Sequence, residues 1–305
     1  MENKMRTFFL MAVSVLCFFY SAPAFAALRV VTTTEDLAAL TKEIGGDEVR
    51  VKTLTRGYQD AHHIAAKPSY MLRLNRADLL IYQGMELEVG WLPLLIQGAR
   101  NPNVMIDQPG HLNASAGIEP IEIPQMLDRS MGDIHPFGNP HYLLDPVNGI
   151  HVARLIKDRL TQLVPDKKDS FQKGFEKFAE RLNTKILEWG RRMELLKGLK
   201  VTAYHRSWSY LFRRLGIQYA ALIEVVPGIP PTPKHLARVV DTMKTENVKI
   251  IIQANYYESR SAKFLAEKTG SQILSLPVSV GGVDEVKTYI GLFDYIISHL
   301  ERELK

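Results

Sequence analysis

Beyond the first 26 residues, two hydrophobic periods alternate along the chain. Short apolar runs of strand character are followed by stretches in which apolar positions recur every three or four residues, the spacing of one helix face. Leu28 to Thr33 predicts a strand, and Glu35 to Ile44 a helix closed by Gly45-Gly46. Val49 to Thr55 predicts the next strand, Ser69 to Ala77 a helix entered through Pro68, and Asp78 to Gln83 a further strand. Glu88 to Gly98 predicts a packed helix, and Val104 to Asp107 a short strand. From Gly110 to Phe137 the pattern dissolves into Gly, Pro and polar residues, the composition of a long loop.

A second half repeats the plan without repeating the sequence. Asp145-Pro146 opens a helix that runs to Leu163. Asp169 to Lys197 predicts one long amphipathic helix, with Phe171, Phe175, Phe178, Leu182, Ile186, Trp189, Met193 and Leu196 along a single stripe. Such a stripe is a packing face. Alternation then resumes, with strands at Lys200 to Tyr204, Gln218 to Ile223, Lys249 to Gln253 and Gln272 to Leu276. Between and after them, helices are predicted at Ser207 to Leu215, Pro233 to Thr245, Arg260 to Lys268 and Asp284 to Leu304. Strands separated by helices form right-handed βαβ units on parallel sheets. The expectation is an α/β protein of two lobes, residues 27–165 and 199–305, each a parallel sheet flanked by helices. A long rigid connecting helix, residues 166–198, joins them.

The amino terminus reads differently. Lys4 and Arg6 precede an almost unbroken apolar run from Phe8 to Tyr20, and Ala24-Phe25-Ala26 has the small-x-small spacing of a signal-peptidase site. The run is shorter than the roughly 20 residues a spanning helix needs, so residues 1–26 are expected to be a cleaved signal peptide. Cys17, the only cysteine, would leave with it, which excludes a disulfide framework or thiolate metal site in the mature chain. Leu16 precedes Cys17 where a lipidation site has a small residue, which argues against a lipid anchor. The formal charge of +5 is small for 305 residues and not clustered, and nothing in it points to nucleic acid.

Histidine placement carries the chemistry. His62 and His63 follow a predicted strand in the loop Gly57-Tyr58-Gln59-Asp60-Ala61-His62-His63. His135 and His141 lie in a turn-rich stretch, and His205 stands directly after a strand of the second lobe. Ligands of open parallel sheets bind beyond the carboxyl ends of the strands, so His62 and His205 occupy positions where a site is built, one per lobe. Neutral imidazole is a common ligand for zinc. A lone loop histidine is more often a plain solvated side chain, the reading given to His111, His151, His235 and His299. No G-x-S-x-G, H-E-x-x-H, P-loop or G-x-G-x-x-G motif offers a competing chemistry. Ser279-Val280-Gly281-Gly282 reads as a turn.

At these residues the chain resembles the periplasmic solute-binding receptors of zinc and manganese ABC transporters. Asp60-Ala61-His62-His63 with Lys67-Pro68-Ser69 is similar to the family's Asp-Pro-His segment and its following Pro-Ser. The run from Arg76 through Gly84 to Glu88 resembles its strand-and-Gly signature. Asn139-Pro140-His141-Tyr142-Leu143-Leu144-Asp145-Pro146 is close to Asn-Pro-His-x-Trp-Leu-Asp-Pro, and Val201 to His205 with Tyr210-Leu211 fits its third ligand strand. The resemblance implies a non-enzymatic receptor that binds a divalent metal through His62, His141 and His205. It also implies a helical spine that permits only modest opening, and delivery to an inner-membrane ABC permease by a monomer. The family's usual fourth ligand, a carboxylate after the last strand, has no counterpart before Asp284. Glu258 and Asp284 are the candidates for it, with His63 a further possible ligand and Asp60 a residue that would orient His62. Manganese receptors of the family place a carboxylate where His205 stands. Three imidazoles suit Zn²⁺ better than Mn²⁺. An exported metallohydrolase built on the same histidines, or a surface adhesin on this fold, is the alternative of another class.

Overall fold

The computed structural model describes residues 26–125, 135–226 and 228–303. Residues 1–25 of the segment expected to be a signal peptide, Cys17 included, lie outside the described residues. Two four-stranded sheets organise the described residues. The first contains β1 (Leu28–Thr32), β2 (Val49–Thr53), β3 (Leu79–Tyr82) and β4 (His111–Asn113) in the order β2-β1-β3-β4. The second contains β5 (Lys200–Ala203), β6 (Gln218–Leu222), β7 (Ile250–Ala254) and β8 (Gln272–Leu276) in the order β6-β5-β7-β8. Every pairing is parallel, with Val30 opposite Leu79 in one sheet and Ile252 opposite Leu274 in the other. The strand order reverses direction beside β1 and beside β5, and the crevice beyond the carboxyl ends of such strands is where this topology takes ligands.

Helices α1 (Glu35–Gly45), α2 (Pro68–Asn75) and α3 (Leu92–Ala99) serve the first sheet. α6 (Ser209–Leu215), α7 (Pro233–Thr245) and α8 (Arg260–Thr269) serve the second. Their ends follow local chemistry. Thr34 caps α1 by accepting from the Leu37 amide, and Asp145 caps α4 (Pro146–Leu163) by accepting from the Val147 amide, with Pro146 in the first turn.

The spine is α5 (Lys168–Arg192), 25 residues long, which ends in a 3₁₀ turn at Glu194–Leu196. Its aromatic stripe is core: Phe171, Phe178 and Leu182 are fully buried, each worth about 1.5–3 kcal/mol of apolar burial. The last helix, α9 (Tyr289–Arg302), returns from the second sheet to pack on α5 and α1. It crosses α4 closely, since a Cβ on Gly149 would fall 2.3 Å from the Tyr289 ring.

Three expectations need correction. Val104 to Asp107 is not a strand. A 3₁₀ turn occupies Pro102–Val104, and Val104 is apolar because its side chain plugs the core beside Leu74 and Leu95. The fourth strand instead lies inside the stretch expected to be loop, at His111–Asn113, where it pairs with β3. The final helix begins at Tyr289 under a Thr288 cap, after turns that occupy the residues expected to open it.

Candidate metal site between the lobes

His62, His141 and His205 converge where the two lobes meet. One ring nitrogen from each lies within 4.8 Å of the others. His62 follows β2, His141 sits in the turn before α4, and His205 follows β5. Ring centroids stand 5.2 Å apart for His62 and His141, 5.9 Å for His62 and His205, and 5.5 Å for His141 and His205.

Two of the rings are held from behind by carboxylates. The His62 Nδ1–H donates to Asp60 Oδ1 at 2.7 Å, and the same oxygen accepts from the His62 amide at 3.0 Å. The His205 Nδ1–H donates to Glu224 Oε2 at 2.6 Å, while Glu224 Oε1 accepts from the Gly228 amide. A carboxylate can only accept, so both rings carry their proton on Nδ1 and turn Nε2 into the cluster. His141 is placed by backbone: its amide donates to Asn139 Oδ1, and Gln83 Nε2 donates to the neighbouring Pro140 carbonyl. The buried His141 Nε2 has no hydrogen-bond partner, as befits a ligand atom.

Burial, then the nearby imidazoles of His62 and His205, push the His141 imidazole well below its usual range, so it is neutral at physiological pH. Although burial alone would raise the Asp60 carboxyl, its bonds to His62 and His63 hold it well below the usual carboxylate range. A neutral imidazole with a carboxylate behind it is the form that binds a divalent cation. A depression of about 200 Å³, lined by His62, His205, Glu224 and Tyr257 among others, opens beside His62 and His205.

The remaining candidates separate clearly. Asp60 lies behind His62, accepting from its Nδ1–H. His63 is exposed and bonds Asp60 Oδ2 at 3.3 Å, outside the three-histidine cluster. Glu258 is largely exposed beside Arg260, and Asp284 is fully exposed beside Lys287, so neither reaches the site. His111, His151, His235 and His299 bond backbone carbonyls of Val104, Ala116, Leu222 and Tyr295 and are structural rather than merely solvated. Two residues were not singled out by sequence reasoning. Glu224 is one acid among 33, and only its place after β6, beside β5 in the sheet, would have pointed to it. His135, noted only as a loop histidine, stands against His62 with its Nε2 3.1 Å from the His62 Nε2.

A family model described as "Zinc-uptake complex component A periplasmic" matches residues 30–303. The chain belongs to this family. It is thus a metal-binding substrate receptor of an ABC transporter, works with a membrane permease, and is not an enzyme. That sets aside the metallohydrolase reading. The family's receptor from Streptococcus pneumoniae named "Manganese ABC transporter substrate-binding lipoprotein PsaA" is 24% identical over 253 residues, covering 81% of this chain and 78% of that one. The "Zinc-binding lipoprotein AdcA" of Streptococcus pneumoniae R6 is 25% identical over 240 residues, 78% of this chain but 46% of that one. Among solved structures, a crystal structure of ZnuA superposes with a TM-score of 0.76 at 22% identity, covering 92% of this chain and 100% of that one. The Mn-bound periplasmic metal binding protein of Candidatus Liberibacter asiaticus gives 0.75 at 20%, covering 91% and 100%. The two-lobed fold is therefore shared with both. Both sequence relatives are lipoproteins by name, so the expectation against a lipid anchor is not borne out.

Proposed function

We propose that this receptor captures Zn²⁺ in the periplasm, to which residues 1–26 direct it, and hands the ion to an inner-membrane permease as a monomer. His62 and His141, from the lobe of residues 27–165, and His205, from the lobe of residues 199–305, would bind the ion, with the helix of residues 166–198 as spine. The observation that carries this reading is the three-imidazole cluster with ligand nitrogens within 4.8 Å of one another. Nitrogen donors favour zinc, whereas carboxylate and water oxygens favour manganese. The carboxylates nearest the cluster, Asp60 and Glu224, spend their oxygens on Nδ1–H groups and amides.

Isothermal titration of the chelator-stripped protein tests it. One Zn²⁺ per chain is expected to bind tightly and Mn²⁺ much more weakly, with zinc binding severely impaired in His205→Ala. Absence of tight zinc binding, or unchanged binding in His205→Ala, would overturn the site. Tighter binding of Mn²⁺ than of Zn²⁺ would overturn the choice of cargo.

A further inference from the structure

We propose that His135 supplies the fourth protein ligand, so that the bound ion sits in a shell of four imidazoles. The inference rests on the three-histidine reading above and deepens it. Its first support is distance. Two nitrogens bound to one tetrahedral zinc at roughly 2.0–2.1 Å each stand about 3.3–3.4 Å apart. The His62 and His135 Nε2 atoms are 3.1 Å apart, close to that ligand–ligand edge. The second is arrangement. His62 has His135, His141 and His205 around it at centroid separations of 5.1, 5.2 and 5.9 Å, so His135 is as near the hub as the two histidines the sequence picked out. The third is elimination by position: Glu258 and Asp284 point to solvent, and Asp60 and Glu224 are engaged behind the rings.

The mutual 4.8 Å spacing holds for His62, His141 and His205, and His135 joins through His62. Without metal, the two Nε2 atoms share one proton in an imidazole–imidazole hydrogen bond. On capture His135 changes tautomer: its Nε2–H proton passes to solvent and solvent returns one to its Nδ1, so the ring stays neutral and both Nε2 lone pairs turn to the ion while the His135 ring shifts inward. The chain supports such a move. His135 lies in a turn closed by the Gly138 amide donating to its carbonyl, and Asn139 just beyond anchors the His141 backbone. A shell without oxygen donors explains why this chain dispenses with a carboxylate ligand and sharpens its preference for zinc over manganese.

The test is cobalt spectroscopy with zinc competition on the chelator-stripped protein and on His135→Ala and His135→Gln. Wild type with Co²⁺ is expected to show the intense visible bands of a four-coordinate nitrogen shell. Both variants are expected to show shifted and weakened bands as water replaces the imidazole, with zinc affinity reduced at least roughly tenfold. Their metal-free melting temperatures should match wild type, which separates ligand loss from misfolding, and the two substitutions guard against one being idiosyncratic. If wild type and both variants bind zinc equally and give superimposable cobalt spectra, His135 is not a ligand and the three-histidine site stands. If wild type itself fails to bind zinc, the underlying reading falls.

Discussion

Glu224 offers the sharpest way to probe how the site is built, because it touches the proposed ion only through His205. Its Oε2 accepts from His205 Nδ1–H at 2.6 Å, its Oε1 accepts from the Gly228 amide at 2.9 Å, and the side chain is 7% exposed. Replacing it with alanine frees the His205 tautomer and ring orientation. Partners of this kind are typically worth 10–100-fold in metal affinity, or about 1.4–2.8 kcal/mol. Glu224→Gln should be milder, because the amide oxygen still accepts the proton while the charge assistance is lost. A charge-assisted bond is roughly twice as strong as a neutral one, so the difference is about 1 kcal/mol, or roughly fivefold. Zinc affinity measured at neutral pH against a fluorescent chelator should therefore rank wild type above Glu224→Gln and Glu224→Ala last. If Glu224→Ala binds within twofold of wild type while folding normally, the carboxylate does not position His205 and the reasoning is wrong.

Three further outcomes can be measured. Burial raises the Asp36 carboxyl to about 6 despite donors from Ser279 and Val280, so between about pH 4 and pH 6 the native state holds a proton the unfolded chain has lost. Stability should fall across that window as pH rises, by up to about 3 kcal/mol; Asp36→Asn should remove this part of the slope, and a melting-temperature profile parallel to wild type would refute it. Leu182→Ala, at a fully buried position on α5, should cost about 2–5 kcal/mol in denaturant unfolding, whereas Leu187→Ala, 69% exposed on the same helix, should stay within about 0.5 kcal/mol; equal effects would contradict the assigned stripe. A Cβ on Gly57 would fall 2.0 Å from the Val280 carbonyl oxygen, so Gly57→Ala must push two loops apart; calorimetry should show about 1–3 kcal/mol of lost stability, and no loss would mean the loops are not packed as described.

Much of this architecture was legible because it obeys two periods. Strands such as β1 and β8 and helices such as α4 and α7 bury one face or both, and burial writes itself into the spacing of apolar residues. The failures occur where that link breaks. β4 has three residues, His111–Asn113, of which only Leu112 is buried, too short for any period to show. Val104 is apolar for the sake of a plug rather than a strand. At the site, His62 and His205 could be placed by topology because each lies in the loop after a strand, and His141 through its place in the Asn139-Pro140-His141 segment that resembles the family's. His135 could not, because neither a strand end nor a matched segment marks it, and only the fold sets it against His62. Nor could Glu224, whose partner is 19 residues away. Pairings of that kind depend on which loops the fold brings together, and hydrophobic spacing carries no record of them. Glu258 and Asp284, the acids offered for the family's carboxylate ligand, are left in solvent by the chain.

The seams between the lobes bear on how an ion is taken and released. The Asn139 side chain accepts from the His141 amide and donates to the Arg206 carbonyl, so one amide fixes the loop of His141 against the loop of His205. Glu122 ties the same region together through Arg206 and Ser209, and Arg214 reaches across to Asp145 with two bonds. On another side Asp36 holds Ser279 and Val280, and Tyr289 donates to the Leu143 carbonyl. These bonds tie the loops of His141 and His205 to each other across the lobes, so on the proposed reading selectivity would rest mainly on nitrogen donors held by the chain. Several seams are polar. Arg206 is half exposed and Arg214 a third exposed, and such pairs are individually weak in water. A permease that offered competing hydrogen bonds to the same loops could loosen them without disturbing the buried spine. On the proposed reading, release would proceed by moving His205 away from His62 and His141, which would separate imidazoles of different lobes from the ion.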